Sequence, residues 1–168
     1  SHLQKYIDEG RLSGAVSLVA RRGKIVHFEN FGERDVKADL PMEKDTLVRI
    51  YSMTKPVIGA ALMILHEEGK FQLNDRLSKH IPEFKDLKVL NEDGELVDPE
   101  HRLTVRRLLT HTGGFTYGIF GNTKVDQQYR KAGILGDKDL KEMIADLSEI
   151  PLQNHPGEKW HYSVAVDI

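Results

Sequence analysis

The chain has 168 residues, of which 39% are hydrophobic and 30% charged, with a formal net charge of −2. That length suffices for one domain with a real core or for part of a larger one, and the charge holds no excess to attract nucleic acid or an anionic membrane. Without cysteine a disulfide framework and thiolate metal sites are excluded, and no zinc-ligand cluster stands out among the eight histidines. The longest apolar run, Val57 to Leu65, falls well short of the roughly 20 residues that span a bilayer. Ser1-His2 resembles the scar of a cleaved tag, so the start says little about a leader. Localisation is weakly constrained, with the cytoplasm slightly favoured over the periplasm or secretion.

In chain order, Leu3 to Glu9 is predicted as a short helix ended by Gly10, followed by strands Ala15–Ala20 and Lys24–Phe31 that turn through Arg22-Gly23 as a hairpin. Gly32 to Glu43 is a polar connection, and Thr46 to Ile50 a short extended lead into a helix from Ser52 to Gly69. Leu73-Asn74-Asp75 and His80-Ile81-Pro82 are turn-like, and Asn91 to Glu100 is an acidic loop. Thr104 is placed to cap a helix running to Leu109, which Gly113-Gly114 breaks. An amphipathic stretch from Asp137 to Leu147 precedes Pro151 and the Pro156-Gly157 turn, and Trp160-His161-Tyr162-Ser163-Val164 follows.

Chemistry concentrates at Ser52-Met53-Thr54-Lys55. A serine hydroxyl needs a neighbour to take its proton, and residues three apart on a helix share a face, so the spacing lets the Lys55 amine reach the Ser52 oxygen. The Ser52 backbone N–H, at the helix start, would lack an intrahelical partner and could face a developing oxyanion. The plain alternative is a serine N-cap with a solvated lysine. Against it, Pro56 to Leu65 is apolar nearly all round and describes a buried helix, beside which an amine is expected to have a lowered pKa and to act as a base. Two N-terminal strands cannot by themselves cover such a helix, and Val164 to Ile168 closes without a turn or polar tail. The expectation is therefore an N-terminal portion of a longer protein.

His111, after a helix and before a glycine turn, is read as structural, and no Gly-x-Ser-x-Gly elbow surrounds any serine. Phe115, Tyr117, Phe120 and Trp160 are open between an acyl pocket and ordinary core.

The pattern resembles the serine β-lactamase and penicillin-binding protein superfamily, and within it the class C β-lactamase-like carboxylesterases. The resemblance runs from Gly14-Ala15-Val16 and the Gly23 hairpin through Arg49-Ile50-Tyr51-Ser52-Met53-Thr54-Lys55-Pro56 and Leu103 to Gly114, and on to Pro156-Gly157 and Tyr162-Ser163-Val164. It implies Ser52 as nucleophile, Lys55 as its partner and Tyr162 as the group that shares the proton and passes it to the leaving group. A phenol near pKa 10 serves as a base only beside a cation, and Lys55 is the one available. Val164 stands where the family's Tyr-x-Asn element has an amide, which argues against lactam and peptide substrates and for esters. The family's third motif, on a later strand, is absent.

The expected architecture is α/β (α+β): an antiparallel sheet flanked by helices, with a mostly helical inserted region and without the C-terminal strands. Residues 1–74 would carry the nucleophile helix, 75–160 the helical region, and 161–168 the start of the return. The expected activity is ester hydrolysis through an acyl-enzyme on Ser52, with no cofactor. The alternatives are a β-lactamase or D-alanyl-D-alanine carboxypeptidase on the same fold, and a non-catalytic binding protein that keeps the scaffold. Expected partners are a small ester or lactam substrate and a C-terminal segment of the same protein, with neither nucleic acid nor membrane.

Overall fold

The computed structural model describes residues 2–168; the first residue of the suspected tag scar lies outside them. It forms two compact units, Ser1–Ile50 and Tyr51–Ile168. The division falls well before the boundary expected at residue 74, so the helix expected to carry the nucleophile groups with the helical region.

The first unit begins with α1 (His2–Asp8), closed by Gly10 at φ +67°. Strands β1 (Gly14–Arg21) and β2 (Lys24–Asp35) pair antiparallel, and β3 (Leu40–Pro41) adds to the far side of β2. Arg22 and Gly23 both take positive φ, at +50° and +73°, which is the two-residue turn whose twist matches the strands it joins. A register shift after Val19 pairs Val19 with His27 but Ala20 with Ile25, so Val26 is the extra residue of a β-bulge.

The second unit is mostly helical. A 3₁₀ turn, Tyr51–Met53, leads into α2 (Thr54–Glu67), which ends through Gly69 at φ +73°. The loop expected over residues 91–100 supplies β5 (Leu96–Val97), which pairs with β4 (Val89–Leu90) just before it, and Asn91 closes the turn between them by accepting from the Glu95 N–H at 2.7 Å. Next comes α3 (Val105–Leu109), with Thr104 capping it by accepting from the Arg107 N–H. Then α4 (Lys124–Ala132) and α5 (Leu140–Ser148) each open on a capping box, Thr123 with Asp126 and Asp139 with Glu142.

The core of this unit is built from Phe84, Val89, Phe115, Val125, Leu147, Leu152 and Val164, all at most 4% exposed. Leu62 and Met63 of α2 pack against this core. The rest of α2 corrects the expectation of a buried helix: no residue of it is buried, and Val57 and Ile64 are 62% and 58% exposed. Its apolar composition is as read, but among the described residues only one side of it meets partners. Among the described residues, no helix is long and apolar enough to cross a membrane.

Candidate active site

Ser52 lies in the 3₁₀ turn and not in the α-helix proper. Tyr51, just before it, adopts φ +45°, a conformation uncommon for a side chain of that size and one that concentrates at functional turns. The Ser52 side chain is exposed, and the Tyr162 hydroxyl reaches its Oγ at 2.6 Å. Two residues separated by most of the second unit thus meet at hydrogen-bond distance.

Lys55 departs from the expected geometry. Its Nζ donates to the Tyr117 hydroxyl at 2.7 Å and to both Asp167 carboxylate oxygens at 2.8 and 2.7 Å. No hydrogen bond to Ser52 forms, because the 3₁₀ turn takes Ser52 off the regular helical face it was expected to share with Lys55. The ammonium stands over two aromatic rings instead, 5.3 Å from the centroid of Tyr117 and 5.6 Å from that of Tyr162. Its expected downward pKa displacement is likewise corrected. Burial does push the amine down, but the hydrogen bonds and charge of Asp167 and Tyr117 outweigh it, and the net displacement is upward. Lys55 is held as a cation.

Tyr117 accepts from Lys55 and donates to Asp167 Oδ2 at 2.8 Å, while its ring lies 5.4 Å from that of Tyr162. Burial raises its pKa; the Lys55 hydrogen bond opposes this and Asp167 adds to it, leaving a net rise that keeps the phenol protonated. Tyr117, open in the sequence between an acyl pocket and core, is a partner of Lys55, and Asp167 was missed from the sequence. The available signals were a tyrosine inside the Gly114–Gly118 loop and an acid five residues past Tyr162.

His111, at φ +55°, accepts through Nδ1 from the Ser163 N–H at 3.2 Å, and its ring packs 4.7 Å from Tyr162. Burial first, then the Lys55 charge, lower its pKa, with Asp167 opposing. A neutral imidazole therefore braces the segment that carries Tyr162, which is a structural role. The aromatics left open divide: Phe115 is core against Phe84, whereas Phe120 and Trp160 are 72% and 66% exposed. Val164 is fully buried and presents no surface to a ligand. Beside Lys55 opens a cavity of ≈ 370 Å³, lined by Pro56, Gly59, Met63, Leu109, His111 and Val166. Among the described residues, no group of three or more His, Asp or Glu side chains is placed to hold a metal ion.

An exposed serine, a tyrosine hydroxyl on its oxygen and a lysine cation over the ring of that tyrosine are thus gathered in one place. The family model described as Beta-lactamase matches residues 1–167, and the chain belongs to that family. It is 36% identical over 170 residues to Protein Rv1367c of Mycobacterium tuberculosis, covering 99% of this chain and 42% of the relative. To Esterase EstB of Burkholderia gladioli it is 36% identical over 165 residues, covering 95% of this chain and 40% of the relative. Among solved structures, EstCE1, a hydrolase with promiscuous acyltransferase activity, superposes with a TM-score of 0.84 at 32% identity, over 98% of this chain and 42% of that one. The chain thus spans about two fifths of the length of these relatives, and the fold is the β-lactamase one, mixed helix and antiparallel sheet.

Proposed function

We propose that this protein is a serine hydrolase that cleaves carboxylic esters through an acyl-enzyme on Ser52. The observation that carries the reading is the 2.6 Å contact between Ser52 Oγ and the Tyr162 hydroxyl. Tyr162 first gives its own hydroxyl proton to solvent, and its oxygen then takes the Ser52 proton while Oγ bonds to the ester carbonyl carbon, with the Lys55 ammonium 5.6 Å from the Tyr162 ring centroid. Backbone N–H groups, that of Ser52 among them, hold the oxyanion. Collapse breaks the bond to the alcohol oxygen, which leaves with the proton from Tyr162. Water then attacks the acyl carbon, giving a proton to Tyr162, and Ser52 recovers it as the acid departs. No step draws on a cofactor.

Lysine here is the electrostatic partner and tyrosine the base, which reverses the emphasis of the motif reading. Asp167 and Tyr117 hold the ammonium in place. The rival lactamase or carboxypeptidase activity would draw on an amide at position 164, where a fully buried valine stands. A non-catalytic binding protein would have no use for a tyrosine hydroxyl on an exposed serine. Because the relatives are more than twice as long, the reading also assigns the bare side of α2 to a further segment of the same protein.

The test is labelling of the intact protein with a fluorophosphonate, read by mass at Ser52, together with turnover of a short-chain nitrophenyl ester against a chromogenic cephalosporin. Labelling at Ser52 with ester turnover supports the reading. Cephalosporin turnover alone would move it to the lactamase, and no labelling to the binding protein.

A further inference from the structure

One buried carboxylate takes no part in the chemistry just described, yet its hydrogen bonds lead to both site tyrosines. Asp126, in the first turn of α4, is 1% exposed. Its Oδ2 accepts from the Thr123 N–H and hydroxyl, both at 2.9 Å, which completes the helix cap. Its Oδ1 is not needed for capping. It accepts from the Thr116 hydroxyl at 2.6 Å.

Thr116 immediately precedes Tyr117 and is itself 2% exposed. The same hydroxyl oxygen accepts from the Gly118 N–H at 3.2 Å, so the residues on either side of Tyr117 are tied to one atom. It also lies 3.4 Å from Nε2 of His161, which immediately precedes Tyr162, and the Thr116 carbonyl accepts from the Val164 N–H. The hydroxyl has a single proton, and that proton is on the bond to Asp126. His161 must therefore donate from Nε2, which gives the network one direction: His161 to Thr116 to Asp126. Burial acts against an ionised Asp126, but the hydrogen bonds from Thr116 and Thr123 prevail and its pKa is lowered, so it remains a carboxylate.

We propose that Asp126, acting through Thr116, is the positioning residue that sets the spacing of Tyr117 and Tyr162 around Ser52 and Lys55. The inference rests on the ester-hydrolase reading. A residue that merely capped α4 would use only one carboxylate oxygen, and the second is directed at a buried side chain that touches both tyrosine-bearing segments.

The experiment compares Thr116→Val, nearly isosteric but unable to donate, with Thr116→Ser, which keeps the hydroxyl, and with Thr123→Ala, which removes the cap hydroxyl and its bond to Gln153 but leaves Thr116 and its bond to Asp126 in place. In the intact protein the readouts are the rate of fluorophosphonate labelling at Ser52, and kcat and KM on a nitrophenyl ester. Thr116→Val is expected to slow labelling and kcat by about 10- to 100-fold with KM within about threefold, since small misplacements of catalytic groups carry losses of that size. Thr116→Ser should recover to within about threefold, and Thr123→Ala should lower Tm while leaving the labelling rate in place. The proposal is overturned if Thr116→Val labels at the parent rate, if serine is as slow as valine, or if Thr123→Ala is as slow as Thr116→Val. Should Thr116→Val not fold, His161→Phe, at a half-buried position outside the cap, is expected to slow labelling by about three- to tenfold, and an unchanged rate there overturns the proposal. A parent protein unlabelled at Ser52 overturns the hydrolase reading and this inference together, whereas a labelled parent with unaffected variants overturns this inference alone.

Discussion

The Lys55 ammonium and the Asp167 carboxylate form a salt bridge at 2.7 Å in which the lysine side chain is only 10% exposed. A buried amine is expected to lose its charge, and this one is prevented from doing so by a carboxylate and a phenol on its far side. In the proposed reaction Tyr162 is left as the base.

Ser52→Ala is expected to abolish fluorophosphonate labelling and ester turnover with the fold intact, because the exposed hydroxyl is removed without a packing loss. Tyr162→Phe and Lys55→Ala should each lower kcat by on the order of 10²-fold, and the double variant should fall far short of their product. Steady-state kinetics on the four proteins decide it. Multiplying losses would mean that the two side chains act independently.

Asp167→Asn should reverse the displacement of Lys55. With the carboxylate gone, burial prevails and the amine should titrate below its ordinary 10.5, where in the parent it titrates above. A raised folded-state pKa stabilises the fold below the unfolded value and loses that contribution as pH rises through the folded one. The parent should therefore lose more stability than the variant on going above pH 10.5. Nitrogen NMR of the Lys55 amine across an alkaline titration, with melting curves alongside, measures both effects.

Acid should weaken the brace at His111. Its folded-state pKa lies below 6.5, so between those two values the unfolded chain binds a proton that the folded chain does not, and stability falls as pH drops through that window. Protonation would also remove the acceptor that Ser163 N–H uses. His111→Asn tolerates the left-handed backbone and keeps a side-chain oxygen, so its melting temperature should be flatter between pH 7 and 5. An equally steep parent and variant would place the acid sensitivity elsewhere.

Gly114 has φ +91°, and a Cβ there would collide with the Asn154 carbonyl oxygen. Gly114→Ala combines backbone strain with that clash, with an expected loss of at least about 2 kcal/mol by denaturant unfolding. Gly133→Ala, at φ +63° with open space around it, carries the strain alone and should lose less.

The sequence carried the hairpin and the Thr104 cap, and it offered Ser52, Lys55 and Tyr162 as candidates, because each rests on local spacing or on a resemblance tied to particular residues. It did not carry α4, whose residues Lys124 to Ala132 are mostly polar, with a narrow apolar stripe of Val125, Tyr129 and Ala132 between the Thr123–Asp126 box and Gly133. Nor did it carry the partners of Lys55. Helical spacing predicts contacts three or four residues away, while Tyr117 and Asp167 reach Lys55 from distant turns whose positions are set by the packing of Phe115, Val164 and Ala165. Burial of α2 was overdrawn for the converse reason, since composition states what a face needs and not what lies against it.

Ser52 and Tyr162 stand 110 residues apart in sequence, and Lys55 and Asp167 stand 112 apart. These contacts fasten the first residues of the second unit to the segment around its last turn, Val164–Val166. Contacts of such separation form only after intervening structure has been ordered. Ser52 thus works as a clasp, and the labelling proposed for it would report whether the chain between residues 52 and 162 has folded as a whole.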